Sequence, residues 1–208
     1  MKIVPAHEHI GEALEVLTDG GVIAHATETC YGLACDFSNV KAVERLFKIK
    51  QRPDNQPVSA LFASIDQAKE YTEWNERAEE LAKEYLPGPL TLILTMQEDA
   101  PFFLFPFPFS QAAEGKGKGG VGKNLTLGIR ISSHPIAQEL VVQFGKPIST
   151  TSANIHGKPN PYSAEDIAMQ FADEEHKPDL ILDSGTLPGQ APSKVIDLSG
   201  GEEVVLRQ

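Results

Sequence analysis

The sequence predicts a single α/β domain built on a mixed β-sheet with flanking helices. Three observations lead there. Strand-like and helix-like segments alternate through the first half, strand-length runs cluster near the end, and no linker or internal repeat divides the 208 residues.

Ile10, Ala13, Leu14 and Leu17 recur at helical spacing, predicting an amphipathic helix that Gly20 and Gly21 stop. GVIAHA (21–26) follows as a short buried strand. A second helix is predicted from Ser38 as N-cap, turning Val43, Leu46 and Phe47 inward. VSALFA (58–63) reads as the next strand, with helices around 65–71 and 75–85. LTLILT (90–95) and LTLGIRI (125–131) are β-rich runs of strand length, and the Phe/Pro- and Gly/Lys-rich stretch 101–120 between them reads as a flexible insert. Residues 134–144 read as a helix with Ser133 as N-cap and Pro135 in its first turn. Ser163 and Asp166 have capping-box spacing and open another. LILD, KVIDL and EVVLR close the chain as three strands.

Composition narrows the function classes. Apolar residues make up 41% and charged residues 23%, as in soluble globular domains. The longest apolar stretch is too short to span a bilayer and is broken by prolines, and the first residues lack a signal-peptide core. Cys30 and Cys35 make no disulfide framework, which fits a reducing, cytoplasmic setting. A net charge of −11 disfavours a surface that coats nucleic acid, yet it leaves room for a local basic groove.

Three segments carry candidate chemistry, each with a plainer alternative. In Thr27-Glu28-Thr29-Cys30-Tyr31-Gly32-Leu33, hydroxyls at a strand end could receive a small polar ligand, and a tight turn accounts for the same residues. Cys30 has no histidine beside it as an activating base and reads as structural. Lys41, Arg45, Lys48, Lys50 and Arg52 crowd one helix and its end, suiting either a polyphosphate or the helix dipole. Ser149-Thr150-Thr151-Ser152-Ala153-Asn154 offers hydrogen-bond donors to an anion or the makings of turns, with His156 an exposed loop residue beyond.

Two lookalikes are set aside. Residues 117–124 fit G-x-x-x-x-G-K but put Asn124 where a phosphate loop needs a hydroxyl, and a strand-like run follows instead of a helix. His7-Glu8-His9 lacks further clustered ligands for a metal and reads as the approach to the first helix.

Taken together, these segments resemble the threonylcarbamoyl-AMP synthase (YrdC-like) family, in its short form without an extra C-terminal domain, over roughly residues 8–207. The resemblance rests on Thr27-Glu28-Thr29-x-Tyr31-Gly32-Leu33, Lys50-x-Arg52-Pro53, Ser152-Ala153-Asn154, Pro87-Gly88-Pro89-Leu90-Thr91, Gly128-Ile129-Arg130 and Pro192-Ser193-Lys194-Val195-Ile196-Asp197, with Arg207 beyond. It implies a twisted sheet with a concave basic cavity. Thr29, Arg130, Thr150 and Ser193 would then line a threonine pocket. Lys50, Arg52, Gln56, Thr126, Ser152, Asn154, Asn160 and Arg207 would hold ATP, with Lys50 and Arg52 neutralising charge during the reaction. The implied substrates are L-threonine, bicarbonate and ATP with magnesium, and the implied downstream partner is a tRNA-modifying threonylcarbamoyl transferase. The alternative is a non-enzymatic, weakly RNA-binding module like the family's YciO-type branch. Two departures stand out: Leu61 replaces a frequent histidine, and Lys194 replaces the usual threonine and is expected to add charge near the cavity.

Overall fold

The computed structural model describes residues 1–52, 58–100 and 125–208. The expected insert 101–120, the phosphate-loop lookalike 117–124 and Gln56 lie outside the described residues.

Among the described residues, ten strands form one mixed sheet: β1 (Lys2–Pro5), β2 (Val22–Ala26), β3 (Tyr31–Cys35), β4 (Ser59–Leu61), β5 (Leu90–Thr95), β6 (Thr126–Arg130), β7 (Ile148–Ser152), β8 (Leu180–Asp183), β9 (Lys194–Asp197) and β10 (Val204–Arg207). Their order across the sheet is β1-β8-β2-β3-β7-β4-β6-β5-β9-β10. The helices are α1 (Ile10–Thr18), α2 (Val40–Lys50), α3 (Ile65–Lys69), α4 (Glu76–Tyr85), α5 (Pro135–Phe144) and α6 (Ala164–Gln170).

Strand alternation assigns the two faces. On β6, Leu127 and Ile129 join a core with Leu92 and Leu94 of β5, Val43 and Leu46 of α2, Leu81 of α4 and Ile167 of α6. The opposite face packs Ile23, Leu61 and Ile148 against Ala13 and Leu17 of α1 and Ile136, Leu140 and Val141 of α5. The β6 residues between Leu127 and Ile129, namely Thr126, Gly128 and Arg130, line a cavity instead.

Local chemistry corrects several expectations. Asn39, not Ser38, caps α2, its side chain accepting from the amides of Lys41 and Ala42, because Asp36 already holds the Ser38 hydroxyl and amide. His134, not Ser133, precedes α5, without a side-chain cap, and Pro135 supplies the preset φ of the first turn. The capping box at Ser163 and Asp166 forms as expected. The hydroxyls Ser149 to Ser152 lie within strand β7 and make no turn. β1 and β3 were not expected. β1 is four residues with only Val4 buried, so it carries no period. β3 is buried on both faces and follows directly from a turn in which the Thr27 amide and hydroxyl both donate to the Cys30 carbonyl.

Candidate active site

Strand ends and the residues just beyond them surround a cavity of about 610 Å³, a volume that suits a small-molecule ligand. Its floor comes from the sheet: Thr91 and Ile93 from β5, Thr126, Gly128 and Arg130 from β6, Thr150, Thr151 and Ser152 from β7, Val195 and Asp197 from β9. Gly128 sits opposite Ser59 of β4, where an added Cβ would lie 2.5 Å from the serine Oγ and 3.1 Å from its Cβ. Only glycine lets these two strands pair at that separation.

Helix α2 delivers Lys50. The helix stops there because Gln51 turns left-handed (φ 50°), which directs Arg52 to the cavity wall. Lys50 is buried, and its Nζ donates to the Ser152 carbonyl at 2.6 Å and to Asn154 Oδ1 at 2.8 Å. Ser152 Oγ donates to the same Asn154 oxygen at 2.6 Å, and Asn154 Nδ2 donates to the Lys158 carbonyl, so the loop after β7 is folded around the lysine. Burial, and then the nearby Arg52 charge, lower the Lys50 pKa to about 7.

Arg130 lines the same cavity. Its Nη2 donates to Glu28 Oε1 at 2.5 Å and to Thr29 Oγ1 at 2.9 Å. Burial alone would raise the Glu28 pKa; the Arg130 guanidinium and the Ser132 hydroxyl outweigh it and hold the carboxyl below its ordinary value. Arg207 reaches in from β10, donating through Nε to the Ser193 carbonyl at 2.7 Å and through Nη2 to Ser193 Oγ at 2.9 Å. The hydroxyls of Thr126 and Thr150 have no hydrogen-bond partner among the described residues and are open to a ligand.

The electrostatics favour an anion. Lys50, Arg52, Arg130 and Arg207 line the cavity, against Asp197 as the one carboxylate among the described lining residues. This is a concentrated positive interior in a chain of net charge −11.

Every expected site residue among the described ones lines this cavity: Thr29, Lys50, Arg52, Thr126, Arg130, Thr150, Ser152, Asn154, Asn160, Ser193 and Arg207. Cys30 lines it too, though burial pushes its thiol pKa up, so the residue is no ready nucleophile. His156 is exposed yet reaches the cavity. Lys194 does not line it, although Ser193 and Val195 on either side do. Leu61 is wholly buried in the core beneath α5 and supplies no polar contact. His7 and Glu8 lie in a 3-10 turn ahead of α1, and among the described residues no cluster could hold a metal ion. Sequence reasoning missed Ser59 and gave Thr91 and Asp197, quoted in its motifs, no place in the site; all three polar positions alternate with core residues along their strands. It named Glu28 within its first segment without giving it a role, and it missed Ser132; the two stand behind Arg130.

Comparison with known proteins fixes the relationship. Residues 15–208 match the family model Sua5/YciO/YrdC, described as telomere recombination. The chain belongs to that family. Among its Sua5/YciO/YrdC relatives, the Vibrio cholerae protein named threonylcarbamoyl-AMP synthase is 30% identical, covering 97% of this chain and 97% of its own. The Pyrococcus abyssi protein of the same name is 35% identical over 99% of this chain, which spans 56% of that relative's length. Among solved structures, Pyrococcus abyssi Sua5 complexed with L-threonine superposes with a TM-score of 0.82 at 32% identity, covering 100% of this chain and 57% of that one. Escherichia coli YciO superposes with a TM-score of 0.77 at 28% identity, covering 100% of this chain and 92% of that one.

Proposed function

We propose that this chain is an L-threonylcarbamoyladenylate synthase, a cytoplasmic nucleotidyltransferase that makes threonylcarbamoyl-AMP and pyrophosphate from L-threonine, bicarbonate and ATP. The observation that carries this reading is one cavity lined by two sets of side chains: Arg130 with Thr29, Thr150 and Ser193, and Lys50 with Arg52, Ser152 and Asn154. The first set suits an amino acid with a hydroxyl and a carboxylate; the second suits a polyphosphate.

The threonine amine takes up the carbon of bicarbonate to form a carbamate, releasing water. A carbamate oxygen then attacks the α-phosphorus of ATP, and pyrophosphate leaves. No protein nucleophile takes part, which agrees with the raised pKa of Cys30. Catalysis comes from gathering the reactants and offsetting charge, and orientation alone is worth about 7–11 kcal/mol in favourable cases. Magnesium bound with ATP would supply charge neutralisation at the phosphates, and Asp197, the carboxylate among the described lining residues, is the side chain that would hold it. The product passes to a threonylcarbamoyl transferase acting on tRNA.

An RNA-binding module is the second reading, but a concave pocket lined by four cations in an acidic chain suits small anions better than a long backbone. The test is adenylate formation with threonine, serine, alanine and valine at equal concentration, followed by mass spectrometry. Threonine should lead, with serine weaker by about 1–3 kcal/mol for its lost methyl and valine far behind. Equal turnover of valine and threonine, or undiminished activity in Arg130→Ala, contradicts the pocket assignment.

A further inference from the structure

We infer that Glu28 is a positioning residue: anchored to Ser132 at the start of α5, it fixes the Arg130 guanidinium so that the rest of it is presented to a substrate carboxylate. This rests on the proposed synthase reading.

Arg130 is held by one of its three nitrogens. Nη2 alone donates to Glu28 and Thr29, while Nη1 makes no hydrogen bond among the described residues and Nε is buried without a partner. Nη1 thus remains as the donor for a ligand, which suits one oxygen of a carboxylate approaching in the guanidinium plane, while the buried Nε stays out of a ligand's reach.

Glu28 is fixed from behind. Its second oxygen accepts from the Ser132 hydroxyl. Ser132 Oγ accepts in turn from the His134 amide at 3.1 Å, and the Ser132 carbonyl accepts from Gln138 Nε2 at 2.7 Å, so both ends of this serine are tied to α5. Arg130 lines the cavity; Glu28 and Ser132 do not. The Glu28 and Arg130 side chains are only 11% and 10% exposed.

This geometry separates positioning from competition. A carboxylate that merely occupied Arg130 until substrate displaced it would need somewhere to go. Glu28 is instead clamped between a strand end and a helix start, outside the cavity. Without it, a long side chain in a cavity shared with three other cations would lose its fixed plane.

The experiment compares L-threonine and L-threoninol, which lacks the carboxylate, by calorimetric titration of the unaltered protein, Glu28→Gln and Ser132→Ala. Glu28→Gln should weaken threonine binding at least tenfold, leave threoninol and ATP analogue affinities within twofold, and raise KM for threonine more than it lowers kcat. Ser132→Ala, which removes only the outer tie, should shift threonine binding in the same direction by less, and it carries the test if Glu28→Gln fails to fold. Threonine binding that is unchanged or tighter in Glu28→Gln overturns the inference, tightening being the mark of a competitor. Equal losses for threonine, threoninol and ATP analogue also overturn it, since they mark a general structural role. Absence of threonine binding in the unaltered protein instead overturns the synthase reading, and this inference with it.

Discussion

Lys50 shows what burial does to a cation on the cavity wall. The residue is 4% exposed, and with Arg52 beside it the pKa falls to about 7. At pH 8 the free protein therefore holds this amine largely neutral, and an arriving triphosphate favours its charged form. ATP binding should take up a proton at pH 8 and little at pH 6, where Lys50 is already charged. Calorimetry in buffers of different ionisation enthalpy reads this uptake, and none at pH 8 would contradict a phosphate contact through Lys50. Lys50→Ala should weaken binding of an ATP analogue by about 1.5–3 kcal/mol, the usual worth of a hydrogen bond to a charged group. Unchanged affinity in a folded variant would remove Lys50 from the site. Arg52 and Arg207 are also partly desolvated, but a guanidinium keeps its proton, so they add charge to the basic wall of the cavity without any proton uptake.

At the scale of elements, the site depends on how closely β4 and β6 pair and on how α2 is anchored. Gly128→Ala would put a methyl against Ser59, whose side chain can turn but whose Cβ and Cα lie only 3.1 and 3.3 Å away. The strands must then spread, costing about 1–3 kcal/mol in urea denaturation and weakening ATP analogue binding as the floor shifts. Wild-type stability and affinity in that variant would show that the close approach is unimportant. Leu46 is fully buried under α2, and Leu46→Ala should cost about 2–5 kcal/mol of stability, measured the same way; a loss under 1 kcal/mol would mean that α2 is not anchored there. The helices with one apolar face, α1, α2 and α4, were legible because periodicity and burial coincide in them. β3 was not, since a strand buried on both faces has no alternation, and its Tyr31-Gly32 start reads equally well as a turn. The polar positions of β5 and β6 were written in LTLILT and LTLGIRI, but alternation says only that one face is different, not that it lines a cavity. Lys50, Arg130 and Ser193 come from distant segments, and only the sheet order brings them together. Their shared site was readable through family resemblance, whereas Glu28 and Ser132 became visible only with the Arg130 contacts in hand.

The whole molecule is acidic outside and basic within its cavity, so its response to pH has two sources. His25 is fully buried, and desolvation, partly offset by its hydrogen bond to the Ala26 carbonyl, lowers its pKa to about 4. Above pH 6.5 the ring is neutral whether the chain is folded or not. As pH falls from 6.5 toward 4, the unfolded chain takes the proton and the folded one refuses it, so stability drops across that window. The Glu28 carboxyl, held below its ordinary value, adds a further loss as pH falls below about 4.5. Chemical denaturation at pH 7 and pH 5 should show a smaller loss for His25→Gln than for the unaltered protein, and equal losses would contradict the assignment. The central claim, that the cavity joins threonine, bicarbonate and ATP, is tested most directly by pyrophosphate release. The assay is run with all three substrates and with each omitted, using bicarbonate-depleted buffer where needed. Release that requires both threonine and bicarbonate is the predicted result; release from ATP alone at the same rate, or none with all three present, would contradict it.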